Sequence, residues 1–161
     1  MKKKINLVAE IGCNHKGDYE IAKKMIEKLA VFCNVKFIKF QKRDNKTLLS
    51  KKEYNLPHPN PENSYGKTYG DHREFLEFSI YQHKKLFDYC KKNKVDYSCS
   101  AWDIKSAKQL SNLRLKHIKI PSACNLDLPM ISYLCREFKG KIHISLGMTK
   151  NDEEKKIINL V

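Results

Sequence analysis

An α/β fold built on a parallel sheet is predicted from three observations. Five short β-rich runs recur along the 161 residues, helix-length amphipathic segments separate them, and polar residues gather where the runs end. The first unit is "INLVAEI" (5–11), followed by "DYEIAKKMIEKLAVF", in which Ile21, Met25, Ile26 and Leu29 fall at helical spacing behind Asp18, a natural N-cap. "VKFIKFQ" (35–41), "VDYSCS" (95–100), "KHIKIP" (116–121) and "KIHISL" (141–146) read as the second to fifth strands. Between them "YQHKKLFDYCKKN", "DIKSAKQLSNL" and "LPMISYLCREF" have helical length and apolar spacing, and Asn151 or Asp152 opens a last helix. Residues 44–72 break the rhythm. Their "NLPHPNPENSYGKTYGDH", rich in proline, glycine and asparagine, reads as a long irregular insertion.

Five units fit either a doubly wound sheet or part of an eight-stranded barrel, and both place functional groups at the carboxyl ends of the strands. No GxGxxG or GxxxxGK[ST] string follows a strand, which counts against the nucleotide-binding version. The length suits a single domain. Thirty-two basic against 18 acidic residues give a formal charge of +14, which favours an anionic partner. The lysines lie in helix-like stretches without arginine–aromatic interleaving, so a solvated lysine face is the preferred reading over nucleic-acid binding. No secretory segment or long apolar span is visible, and the chain reads as cytoplasmic with no membrane partner. The six cysteines include no CxxC pair and no zinc spacing.

Strand alternation puts Lys39 and Gln41 on one face of the second strand, and His117 and Lys119 on one face of the fourth. An ammonium inside a parallel strand requires a partner, and two of them at one rim suggest a bound dianion; the plain alternative is that both lysines snorkel into solvent. Ser100, Ser122 and Ser145 end the third, fourth and fifth strands and add hydroxyls to that rim. Glu10, at the end of the first strand, either pairs with a lysine or orients a polyhydroxyl substrate and moves a proton. His15 has no second histidine at metal-ligand spacing and reads as part of a turn.

In order, "AEIGCNHKGD", "IKFQK", "ENSYGKTYGDHREFLEFS", "IKIPSACN" and "ISLGMT" resemble the sialic acid synthase family, enzymes that join phosphoenolpyruvate to an N-acetylated hexosamine. The resemblance implies a (β/α)8 TIM barrel of which residues 1–161 form an amino-terminal portion of about five βα units, without the carboxyl-terminal strands and the antifreeze-like domain. It implies that Lys39, Ser100, Lys119, Ser122 and Ser145 hold phosphoenolpyruvate. Glu10 and Gln41 fall to the sugar, with Glu10 also catalytic, and Asn14 and His15 match the family's turn after the first strand. It further implies a divalent metal, Mn2+ or Mg2+, whose ligands lie on later strands and not in this chain, and a homodimer for full-length members. "PSACN" departs from the pattern, with Cys124 where many members carry an acid. The competing reading is a truncated, non-catalytic remnant that binds phosphorylated ligands or needs a partner chain. Nucleic-acid binding through the +14 charge ranks below both.

Overall fold

Alternation along the strands decides which side of the sheet is covered. In the computed structural model, which describes residues 5–161, β1 (Val8–Gly12), β2 (Phe37–Lys42), β3 (Asp96–Ala101), β4 (His117–Ile120) and β5 (Lys141–Ile144) form one sheet. Every neighbouring pair is parallel, and the spatial order is the chain order, β1-β2-β3-β4-β5. A doubly wound sheet reverses its order at the middle and carries helices on both faces. Strictly sequential order with right-handed crossovers keeps them on one face and curls toward a barrel. The structure therefore selects the barrel-type arrangement.

The crossover helices are α1 (Tyr19–Val31), α5 (Ile80–Lys92), α6 (Ile104–Ser111) and α7 (Leu128–Glu137), with α8 (Asn151–Ile158) following β5. Ile38, Phe40, Tyr97, Cys99, Ile118 and Ile120 face them, and Ile26, Leu86, Leu110, Met130 and Leu134 close the layer. Burying each of the larger side chains stabilises the fold by roughly 1.5–3 kcal/mol. The helices begin where side chains satisfy their free N–H groups. Asp18, Asp103 and Asp127 cap α1, α6 and α7, while Ser79 and Gln82 form a reciprocal capping box on α5. The last helix begins at Asn151, the first of the two expected positions, and the Glu153 carboxylate accepts from the Lys150 N–H.

The insertion at 44–72 is not irregular throughout. It holds α2 (Asn45–Leu48), α3 (Lys51–Tyr54), a 3-10 turn at Pro61–Asn63 and the start of α4 (Tyr69–Leu76). Asp44 caps α2, and capping boxes Ser50–Glu53 and Thr68–Asp71 start α3 and α4. These short helices survive by packing rather than propensity. The Tyr54 ring lies so close to Gly70 that a Cβ there would stand 2.3 Å from it. Phe75 of α4 reaches the loop after β1, where Gly17 takes φ +74° with the Phe75 carbonyl oxygen 2.3 Å from the site of a Cβ. Neither position tolerates a side chain.

Candidate functional site

The uncovered face of the sheet carries the polar half of each strand. Phe37, Lys39, Ser98, His117, Lys119 and His143 line a trough of about 600 Å3 along it. A hollow of about 780 Å3 lies at the opposite end of the strands, between Ser111–His117 and Glu137–Lys141, away from the carboxyl rim. Register pairs Glu10 with Lys39, Gln41 with Ser100, Ser100 with Lys119, and Lys119 with His143. Two rows result, Glu10–Lys39–Ser98–His117 and Gln41–Ser100–Lys119–His143, and the Lys39 ammonium reaches from the first to the Ser100 hydroxyl of the second.

Lys39 is half-buried, its Nζ 3.4 Å from Ser100 Oγ and in an ion pair with Glu10. Burial, and after it the charge of Lys119, pull the Lys39 ammonium down to about 8. The Glu10 carboxylate acts in the opposite sense but is itself 45% exposed, so water weakens its hold. Glu10 therefore takes the ion-pair role. Ser100 is buried. Ser122 opens a 3-10 turn after β4, and Ser145 follows β5 with its N–H donating to the Ile120 carbonyl. The Asn125 amide donates to the carbonyls of Ser145 (2.9 Å) and Gly147 (3.3 Å), which ties these two loops together at the same rim.

Gln41 occupies the expected face, but its carboxamide oxygen accepts from Arg43 Nη2. Arg43 is the residue that the sequence reading missed. It is 6% exposed, stacks 4.0 Å over the Trp102 ring and donates from Nη1 to Glu77 Oε1 (3.2 Å) and to Cys13 Sγ (3.5 Å). Glu77 also accepts from the Arg43 N–H (3.1 Å), and Lys42 Nζ lies 3.8 Å away. Burial raises the Glu77 carboxyl, while Lys42 and Arg43 pull it down. Alongside, Asp103 accepts from the Asp44 N–H and from Ser106, locking the end of β2 to the start of α6. The one available signal was "QKRD" at a strand exit, a charge run too polar for a buried strand end unless it is paired.

His15 and Asn14 lie in the turn after β1. His15 is buried against Phe78, ring centroids 4.0 Å apart, and its Nδ1 accepts from the Gly17 N–H. Burial lowers it to about 4, so it is neutral at physiological pH. Asn14 is exposed, its amide returned to the Ile11 carbonyl. Cys124 is held up at about 11 by burial and then by Asp127 and Asp103, which leaves the thiol a poor stand-in for an acid. Among the described residues no three His, Cys, Asp or Glu side chains converge on a metal-sized site. His117 and His143 approach to 3.1 Å without a third partner of that kind, and the donor set does not fit a divalent metal. No helix among the described residues is long and apolar enough to cross a membrane.

Sequential parallel strands with helices on one face define a (β/α)8-type scaffold, and a cationic, hydroxyl-bearing rim lies at the carboxyl ends of its strands. The NeuB family model matches residues 25–161, and the chain belongs to the NeuB family. It is 39% identical over 145 residues to N-acetylneuraminate-9-phosphate synthase of Drosophila melanogaster, a match covering 79% of this chain and 37% of that protein. The human enzyme of the same name is 31% identical, with 96% of this chain and 42% of the relative covered. N,N'-diacetyllegionaminic acid synthase of Campylobacter jejuni is 31% identical, with 99% and 47% covered. The chain thus spans less than half the length of these relatives.

Among solved structures, the N-acetylneuraminic acid synthetase of Leptospira borgpetersenii superposes with a TM-score of 0.76 at 18% identity, covering 95% of this chain and 48% of that one. The spore coat polysaccharide biosynthesis protein E of Chromobacterium violaceum gives 0.77 at 20%, with 97% and 45% covered. At such identities these structures speak for the fold alone.

Proposed function

We propose that this chain supplies the phosphoenolpyruvate-holding side of a cytoplasmic nonulosonic acid synthase, which condenses phosphoenolpyruvate with N-acetylmannosamine or a related N-acetylated hexosamine. The observation that carries the reading is that Ser100, in register with Lys119 on the next strand, also lies 3.4 Å from the Lys39 ammonium, so that two lysines flank one hydroxyl. Two ammonium groups and a buried hydroxyl match a ligand bearing both phosphate and carboxylate. Ser122 and Ser145, on loops tied by Asn125, extend the same rim.

In this reading the enol carbon of phosphoenolpyruvate forms a bond to the aldehyde carbon of the open-chain sugar. Water adds to the resulting oxocarbenium carbon, and phosphate leaves by C–O cleavage. One proton of that water balances the proton taken by the new alkoxide, and the other leaves with phosphate. Negative charge stays on phosphate and carboxylate throughout, which fixed lysines stabilise without reorganisation. Arrival of the dianion frees Glu10 from Lys39, and the released carboxylate turns to the sugar hydroxyls or carries the alkoxide's proton. The family's divalent metal and the homodimeric assembly belong to the whole synthase, and no step assigned to these residues runs through the metal.

Isothermal titration of this chain with phosphoenolpyruvate tests the assignment. Lys119→Ala is expected to weaken binding by about tenfold or more, the loss of a charged hydrogen-bonding partner. Equal affinity in the variant refutes the site.

A further inference from the structure

The functional group of Gln41 is already engaged by the Arg43 side chain, and the engagement has a direction. A guanidinium only donates, so the carboxamide atom facing Arg43 Nη2 is the oxygen, and the nitrogen must point the other way. It points toward Gly12, where a Cβ would stand 3.0 Å from Gln41 Nε2 and 3.6 Å from Glu10 Oε1. Gly12 leaves that space where the β1–β2 register shifts between Glu10 and Gly12, and it sits at φ +56°, a conformation suited to glycine. Arg43 cannot follow a turning amide, for the Trp102 ring holds one face of its guanidinium and the Glu77 carboxylate holds Nη1. Its geometry is set from three strand exits and the end of α4.

We infer that Arg43 is a positioning residue: it fixes the Gln41 carboxamide with its N–H groups turned to the space between Gly12 and Glu10, so the sugar is read there through an acceptor oxygen. The inference rests on the synthase reading for the identity of the sugar, but not for the geometry. Beside Glu10, an acceptor-only group when ionised, a Gln41 donor makes a mixed pair. One substrate oxygen that both accepts and donates, such as a hydroxyl, satisfies both, and a carbonyl satisfies Gln41 alone. A free amide would present either end and would discriminate poorly.

Side-chain amide NMR of the 15N-labelled chain reads this without any ligand. The Gln41 NH2 protons are expected to show contacts to the Gly12 α-protons, and in Arg43→Lys, which keeps a positive charge beside Glu77 but lacks the planar fork, those contacts are expected to average away. In titrations, Arg43→Lys is expected to weaken N-acetylmannosamine binding by about fivefold, one lost hydrogen bond, with phosphoenolpyruvate affinity unchanged. Absence of the Gly12 contacts in the natural sequence overturns the inference, as does an Arg43→Lys variant that keeps them. Should Arg43→Lys not fold, the contacts in the natural sequence decide alone. Failure of phosphoenolpyruvate to bind the natural chain removes the synthase reading and leaves the amide geometry to be judged by its own signals.

Discussion

Replacing Lys39 by methionine should make the protein more stable and less able to bind its anion. The ammonium titrates near 10.5 in an unfolded chain and near 8 in the fold, where its side chain is 15% exposed. That fall corresponds to roughly 3 kcal/mol, an upper figure because the Glu10 carboxylate favours the charged form. Below pH 8 folded and unfolded states both carry the charge, and the full penalty falls on the fold. Between pH 8 and 10.5 the unfolded state holds the proton more tightly, so stability of the natural chain rises with pH across this window. Lys39→Met should therefore gain about 1–3 kcal/mol at pH 7, a gain that shrinks steadily toward pH 10.5. The methionine's own burial adds a constant that does not vary with pH. Urea unfolding of both proteins across that range measures the difference directly. A loss of stability at pH 7, or a difference that stays flat with pH, would refute the argument. Added phosphoenolpyruvate should raise the midpoint of the natural chain and leave that of Lys39→Met unmoved.

Acid should weaken the fold through two other residues. His15 and His83 are held neutral by burial, at about 4 and about 3, and each costs stability as pH falls from 6.5 toward those values, because only the unfolded chain takes up the proton. The loss approaches, as upper bounds, roughly 3 kcal/mol for His15 and roughly 5 kcal/mol for His83, and His15→Phe should flatten its share in a pH series of unfolding midpoints. An unchanged slope would show that His15 is not the group titrating. Gly17→Ala meets both an unfavourable φ and the Phe75 carbonyl, and should lower stability by about 2–4 kcal/mol in thermal unfolding. A midpoint equal to that of the natural chain would mean that the insertion does not rest on this loop.

The strands were legible because each is apolar on the helix-facing side, and Ile38, Phe40, Ile118 and Ile120 announce that side by period-two spacing. Lys39 and Lys119 were legible for the converse reason: a charge between two buried neighbours marks the other face. The barrel-type order came from the resemblance, since alternation alone does not distinguish sequential from doubly wound sheets. The short helices of the insertion were hidden by proline and glycine, although "SKKE" and "TYGD" carry the spacing of their capping boxes. Arg43 escaped notice because its partners are scattered. Glu77 lies 34 residues away and Trp102 on another strand's exit, and no local pattern encodes a contact made by the sheet's curvature. The same holds for His83, whose Nδ1 lies 2.5 Å from the Tyr97 hydroxyl across the helix–sheet boundary.

The one-sided covering of the sheet has a consequence for how such a protein can diverge. Positions 39, 41, 98, 117, 119 and 143 hang from the same strands as the core but lie outside its apolar cluster. Substitutions there exchange charge, hydroxyl or imidazole without repacking a helix, so ligand preference and fold stability can drift on separate schedules. Lys39 shows the asymmetry most clearly, since the fold would be firmer without it. A residue kept against the interest of the scaffold is one that a laboratory selection for thermal stability alone should discard early.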